Sequence, residues 1–299
     1  MTLHAEIAAA RHLLEQAGID PIEAAVDADL LARKALGWDR ARLLASLTDA
    51  APPGFHDAYA PLVARRRRRE PAAYIVGHRE FWGRDFEVGP GVLVPRPETE
   101  IVVEEALARV ALRAAASPAQ HRHVLRVADV GTGSGCLAIA LALELPAARL
   151  VATDTSSTAL KAAQRNAALH DVADRIWFVE TDLLSDVDER FDLIVSNPPY
   201  VPATDMVQLP PEVRDYEPGE ALLGGIDGLD VIRRLLLQCE SRLRSDGLLV
   251  FEFGFGQEAG VRTAVAARPA FQLEAVRHDL QGVPRTAVAR WRPPGTEPR

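Results

Sequence analysis

The sequence predicts an α/β protein: a doubly wound, mainly parallel sheet behind a small helical N-terminal domain. Three observations point to it. From about residue 124 onward, short apolar and β-branched runs alternate with helical patterns, as in a layered α/β sheet. The first of those runs ends in a glycine-rich turn, Asp129-Val-Gly131-Thr132-Gly133-Ser134-Gly135, and a helical pattern follows it. Residues 1–71, by contrast, carry helical spacing throughout.

The helices come first in chain order. Leu3, Ile7, Leu13 and Leu14 follow a helical spacing, and Gly18 ends the pattern. Asp20-Pro21-Ile22-Glu23 reads as a helix start, with Asp20 as cap, Pro21 at the first helical position and Glu23 reaching back as in a capping box. Gly37 closes that helix, Asp39 caps the next, and a further helix is expected over Asp57–Arg69. Residues 72–95, rich in aromatics, β-branched residues and glycine, read as a hairpin or extended linker. Pro95-Arg96-Pro97-Glu98-Thr99-Glu100 is a turn opening a helix, with Glu98 and Glu100 favourable at its positive end.

Seven strands are expected after it, over residues 123–130, 149–154, 176–182, 191–197, 247–254, 271–279 and 285–291. The last two follow one another through a short turn, which predicts an antiparallel strand at one edge. The domain expectation is therefore 1–71 helical, 72–95 linker, 96–291 α/β, and 292–299 a disordered tail.

Bulk properties bound the function. A chain of 299 residues, 48% hydrophobic and 25% charged, fits two domains with a substantial core. A net charge of −8 gives no global field to draw in nucleic acid, so no direct nucleic-acid substrate is expected. The two cysteines, Cys136 and Cys239, belong to no CxxC or histidine cluster and read as packing residues, so no metal is expected. No signal peptide and no run of 18 apolar residues is visible, which makes the cytoplasm the default location and a membrane role unexpected. Arg65–Arg69 is a run of five arginines, either a solvated helix end or a patch for an acidic partner protein.

Ligands of open α/β sheets bind at the carboxyl ends of the strands, and glycines there let a ligand approach the main chain. The dinucleotide pattern has a third glycine where this chain has Cys136, so the turn alone does not name its ligand. Asp154, ending the second strand 19 positions beyond Gly135, adds the stronger signal, because its carboxylate can accept from both hydroxyls of a ribose. Asp182, ending the third strand, is placed to meet an adenine amino group, or its neighbour Leu183 to cover the ring. This combination resembles the Rossmann-like S-adenosylmethionine-dependent methyltransferases.

Asn197-Pro198-Pro199-Tyr200 then ends the fourth strand beside the same crevice. Prolines can simply stop a strand. On this sheet the tetrapeptide also suits methyl transfer to a planar nitrogen, whose lone pair is delocalised and whose N–H groups need acceptors. Asn197 offers its side-chain carbonyl, Pro198 its main-chain carbonyl in the extended shape that a following proline imposes, and Tyr200 a flat face. Amides and adenine both fit this description.

Further segments carry a more specific resemblance. They are Ala73–Gly77, Glu80–Gly83, Leu93–Glu100, Tyr216-Glu217-Pro218 with Ala221-Leu222, Gly225–Leu229 and Asp279–Arg285. With them the chain, from about 1 to 291, resembles the protein-(glutamine-N5) methyltransferases of the PrmC/HemK family, which act on peptide chain release factors. The resemblance implies a seven-stranded S-adenosyl-L-methionine-dependent methyltransferase domain and a helical N-terminal domain that together receive the release factor. It implies a glutamine of a Gly-Gly-Gln loop as substrate. It also implies that Gly131, Thr132, Gly133, Ser134, Gly135, Asp154, Asp182, Leu183 and Asn197 hold the cofactor. Asn197, Pro198, Pro199 and Tyr200 would hold the glutamine and carry catalysis, with Arg96 and Glu98 lining the crevice. Leu183 stands where many relatives carry an aromatic. Phe251-Glu252-Phe253-Gly254 departs from a more aliphatic strand and reads as packing. A monomer is expected. Other readings are a glutamine methyltransferase of a ribosomal protein, a DNA adenine methyltransferase, and a binding module with a decayed site.

Overall fold

The structure, a computed structural model, describes residues 1–116 and 124–293. His123, at the head of the first expected strand, and residues 294–299 of the expected tail lie outside the described residues. By its internal contacts the chain divides into two units. One comprises Met1–His78, Val88–Pro90 and Leu209–Glu217; the other comprises Arg79–Glu87, Gly91–Gln208 and Pro218–Arg299.

The first unit holds five helices from the start of the chain: α1 (Leu3–Gln16), α2 (Pro21–Leu36), α3 (Arg40–Ala45), α4 (Phe55–Arg67) and α5 (Ala72–Val76). Their apolar faces meet in one core of Leu3, Ile7, Leu14, Leu31, Leu43, Phe55 and Tyr59. Asp20 caps α2 through the N–H groups of Ile22 and Glu23, and Asp39 caps α3 through Arg42 N. Glu23 does not complete a capping box. Its carboxylate instead accepts from Arg66 at 2.8 Å, because a buried cation needs it more than the solvated helix end does. The expected linker also begins differently: its first residues form α5, and only the stretch from His78 to Glu87 is a hairpin, β1 (His78–Phe81) and β2 (Arg84–Glu87).

The arginine run is largely structural. Arg66 is 1% exposed and meets Asp27 at 2.6 Å, Glu23 at 2.8 Å and Glu212 at 3.3 Å. Arg69 donates to Glu212 and to the Gly18 carbonyl, and Arg65 pairs with Glu70. Glu212 sits on the four-residue helix α9 (Pro211–Arg214), whose segment therefore joins the helical unit. Arg67 and Arg68 are exposed.

In the second unit a turn of 3-10 helix (Pro97–Thr99) opens α6 (Glu100–Ala116). The strands are β3 (Arg126–Val130), β4 (Arg149–Asp154), β5 (Ile176–Glu180), β6 (Phe191–Ser196), β7 (Leu243–Glu252), β8 (Phe271–His278) and β9 (Pro284–Trp291). Between them run α7 (Cys136–Glu144), α8 (Ser157–Leu169), α10 (Asp230–Arg242) and α11 (Glu258–Ala266). The sheet order is β5-β4-β3-β6-β7-β9-β8. The antiparallel strand is not at the edge, as expected from the sequence, but inserted: β9 pairs antiparallel with both β7 and β8, and β8 forms the edge. A short turn makes β8 and β9 neighbours, and the apolar, buried β9 gains more by pairing on both sides than at an edge.

Residues alternate between the two faces with period two. Val127, Leu150, Leu193, Leu248 and Val288 pack towards α6 and α7 on one side. Ala128, Val151, Ile194, Leu249 and Ala287 pack towards α10 and α11 on the other. No helix among the described residues is long and apolar enough to cross a membrane.

Candidate active site

Strand register builds the site. Val130 lies opposite Thr153 on β4 and opposite Ser196 on β6, and Ser196 lies opposite Phe251 on β7. The next residues, Gly131, Asp154, Asn197 and Glu252, therefore leave the sheet at one level, where the winding reverses between β3 and β6. A cavity there is lined by Gly131, Gly133, Asp154, Asp182, Leu183, Asn197 and Pro199, among others.

Gly131 and Gly133 have φ of +73° and +56°, and a Cβ built on either meets nothing within 4 Å. The main chain is thus bare towards the cavity, a cradle that side chains would fill. Gly135 has a different task. A Cβ there would stand 3.0 Å from both Ala163 Cβ and Ile139 Cδ1, so this glycine serves helix packing. Thr132 and Ser134 are buried and do not line the cavity. Thr132 Oγ1 donates to Asp129 Oδ2 at 2.6 Å, and the Ser134 carbonyl accepts from Asn166 Nδ2 at 2.8 Å.

Asp129 was not singled out by the sequence. It is wholly buried, and its Oδ2 also accepts from Ala138 N at 3.0 Å, tying the glycine turn to the start of α7. Burial pushes its carboxyl up to about 7 against these hydrogen bonds. Asp154 accepts from Gly133 N and Ser156 N, each at 2.9 Å, so it braces the turn as well as facing the cavity. Burial raises its carboxyl, while the N–H groups of Ser156, Gly133 and Thr155 hold it down.

Asp182 is exposed at the rim and paired with Arg234. Leu183 adopts φ +55°, which turns it onto the cavity wall. Arg96 and Glu98 are partly buried and do not line the cavity. Their charges act on Tyr200 and Glu252 respectively.

The tetrapeptide is held by residues that sequence reasoning passed over. Asn197 Nδ2 donates to Thr99 Oγ1 at 3.0 Å. Thr99 Oγ1 donates to Glu252 Oε2 at 2.6 Å, and the Tyr200 phenol donates to Glu252 Oε1 at 3.0 Å. Glu252 is 1% exposed, so it is not the packing residue expected of the Phe251–Gly254 stretch. A lone carboxylate inside the otherwise apolar run Leu248–Phe253 was the signal for it, since buried charge is kept only with partners. Gln257 secures the loop from the other side, its Nε2 donating to the Tyr200 carbonyl at 2.8 Å and its Oε1 accepting from Gly254 N at 2.8 Å. Gly228, at φ +78°, leaves room for this: a Cβ there would stand 2.3 Å from the Tyr200 carbonyl. Tyr200 is therefore anchored along its edge and does not itself line the cavity.

Comparisons with known proteins agree with this architecture. Residues 113–209 match the family model Methyltransferase small domain, and residues 7–77 match the PrmC N-terminal domain. A release factor glutamine methyltransferase from Geobacter sulfurreducens is 44% identical over 83% of this chain and 82% of its own. One from Cereibacter sphaeroides is 42% identical over 93% of this chain and 94% of its own. A methyltransferase structure from Pyrococcus furiosus, 15% identical, superposes with a TM-score of 0.51 over 70% of this chain and 90% of that one, a likeness of fold. With relatives this similar along nearly the whole chain, and a sheet whose register gathers the glycine turn, Asp154 and Asn197, the chain belongs to the release factor glutamine methyltransferases.

Proposed function

We infer that this chain methylates the side-chain amide nitrogen, N5, of the glutamine in the Gly-Gly-Gln motif of a peptide chain release factor, a translation-termination protein. S-adenosyl-L-methionine is the methyl donor. The observation that carries the reading is the fixed amide of Asn197 on the cavity wall, with Nδ2 committed to Thr99. Its Oδ1 is then left as an acceptor for a substrate N–H.

The residues fit the cofactor. The bare main chain at Gly131 and Gly133 admits a close ligand, Asp154 offers a carboxylate to ribose hydroxyls, and Leu183 offers an apolar wall for a base. When bound, the cofactor would supply an electrophilic methyl group, and the substrate nitrogen would lose one proton to water as it gains the methyl. Asn197 Oδ1 and the Pro198 carbonyl accept the two N–H groups of the substrate amide and orient its nitrogen. Both acceptors would favour the positive charge that grows there; Asn197 lines the cavity, whereas Pro198 is buried and enters through its main chain alone. Desolvation at the crevice strengthens these contacts. The helical N-terminal unit supplies a second recognition surface, and the protein works as a cytoplasmic monomer.

Incubating the protein with S-adenosyl-L-methionine and an intact release factor, then mapping methylated residues by mass spectrometry, tests the reading. A single methyl on the Gly-Gly-Gln glutamine is expected.

A further inference from the structure

We propose that Glu252 is a positioning residue: by accepting from the hydroxyls of Thr99 and Tyr200 together, it sets which end of the Asn197 amide faces the cavity. This rests on the function inferred above and deepens it.

A threonine hydroxyl has one proton. Thr99 commits that proton to Glu252 Oε2 at 2.6 Å. Its oxygen can then only accept, so it takes the Asn197 Nδ2 donor at 3.0 Å. The amide carbonyl is forced to the opposite side, where an acceptor is required. The second carboxylate oxygen takes the Tyr200 phenol at 3.0 Å, so one buried group aligns both ends of the tetrapeptide. An ionised carboxylate has no proton to give, so the chain runs in one direction only. A protonated or amide replacement is also a donor. Turned towards Thr99, it releases that hydroxyl's proton for the Asn197 carbonyl, so the amide is no longer held to one orientation; turned towards Tyr200, it displaces the phenol.

The electrostatic setting makes the charge state sensitive to acid. Burial pushes the Glu252 carboxyl up, Glu98 pushes it further, and the hydrogen bonds from Thr99 and Tyr200 with the charge of Arg285 hold it down. Arg96 lies in range of Tyr200, and the Cys136 thiol on α7 in range of Glu252.

The test uses the full chain with Glu252→Gln, Thr99→Val and Thr99→Ser. Single-turnover methylation of a release factor should fall about tenfold or more in Glu252→Gln and Thr99→Val, less than the roughly 10²–10³ for removing a preorganised contact outright, because the Asn197 acceptor is misoriented and not lost. Cofactor affinity by calorimetry should change much less, and Thr99→Ser should recover rate relative to Thr99→Val. The acid limb of the wild-type rate profile should vanish in Glu252→Gln. Amide resonances of selectively labelled Asn197 read the orientation without any substrate. Overhauser contacts from Asn197 NH2 to Thr99 should be present in the wild type and weakened in Glu252→Gln. Unchanged contacts in Glu252→Gln, or rates that fall only in step with cofactor affinity, would overturn the proposal. A wild type that shows the contacts but leaves release factors unmethylated would overturn the substrate reading instead.

Discussion

Asn197 and Thr99, 98 positions apart in the chain, are joined by a 3.0 Å hydrogen bond that turns a strand-ending amide into an oriented acceptor. Asn197→Ala removes that acceptor. Single-turnover methylation should fall by about 10²–10³, the usual cost of one preorganised partner of developing charge. Cofactor affinity should fall much less. Equal losses in rate and affinity would make Asn197 mainly a cofactor residue.

Asp154 combines two tasks, bracing Gly133 and facing the cavity. Hydrogen bonds to a charged group are worth about 1.5–3 kcal/mol each. Asp154→Ala should therefore weaken S-adenosyl-L-methionine binding by roughly 10- to 100-fold in a calorimetric titration. Asp154→Glu should lose less. An unchanged affinity in the alanine variant would remove Asp154 from the cofactor site.

Arg66 meets three carboxylates in the helical unit. Removing one partner of a buried ion cluster typically costs about 3–5 kcal/mol. Arg66→Ala should lower the denaturation midpoint accordingly, whereas Arg67→Ala, at an exposed position, should lie within about 0.5 kcal/mol of the wild type. Matching midpoints for the two variants would show that the cluster adds nothing.

Asp129 gives a pH dependence with a definite sign. Its carboxyl is raised from 3.8 to about 7, so the folded chain holds this proton more tightly than the unfolded chain. Its contribution to stability is complete below the unfolded value and is lost as pH climbs through the folded one. Thermal midpoints should therefore decline between about pH 4 and about pH 7 through this group, and Asp129→Asn should flatten that part of the decline. An identical slope in the variant would place the titration elsewhere.

What the sequence disclosed follows from range. Strand ends, the glycine turn, Asp154 and Asn197 are local signals, and parallel register carries them to one level of the sheet. Caps such as Asp20 and Asp39 are equally local. The pairing of Thr99 with Glu252 spans 153 positions and leaves no periodic trace, so Glu252 read as packing. Glu23 and the arginine run misled for the same reason. A capping residue and a solvated helix end are the local readings, while the partners that claimed them are remote: Arg66 lies 43 positions from Glu23, and Glu212 lies 146 positions from Arg66. Insertion of β9 beside β7 was hidden because a short turn predicts that β8 and β9 pair, not which of them faces inward.

The most direct measurement is the site and rate of methylation on an intact release factor compared with a free Gly-Gly-Gln peptide. Remote contacts supply orientation, so the whole factor should be methylated efficiently, on the motif's glutamine amide, and the peptide poorly. Equal rates on the two would contradict a second recognition surface. Methyl transfer to duplex DNA, or to release-factor residues other than that glutamine, would contradict the function itself.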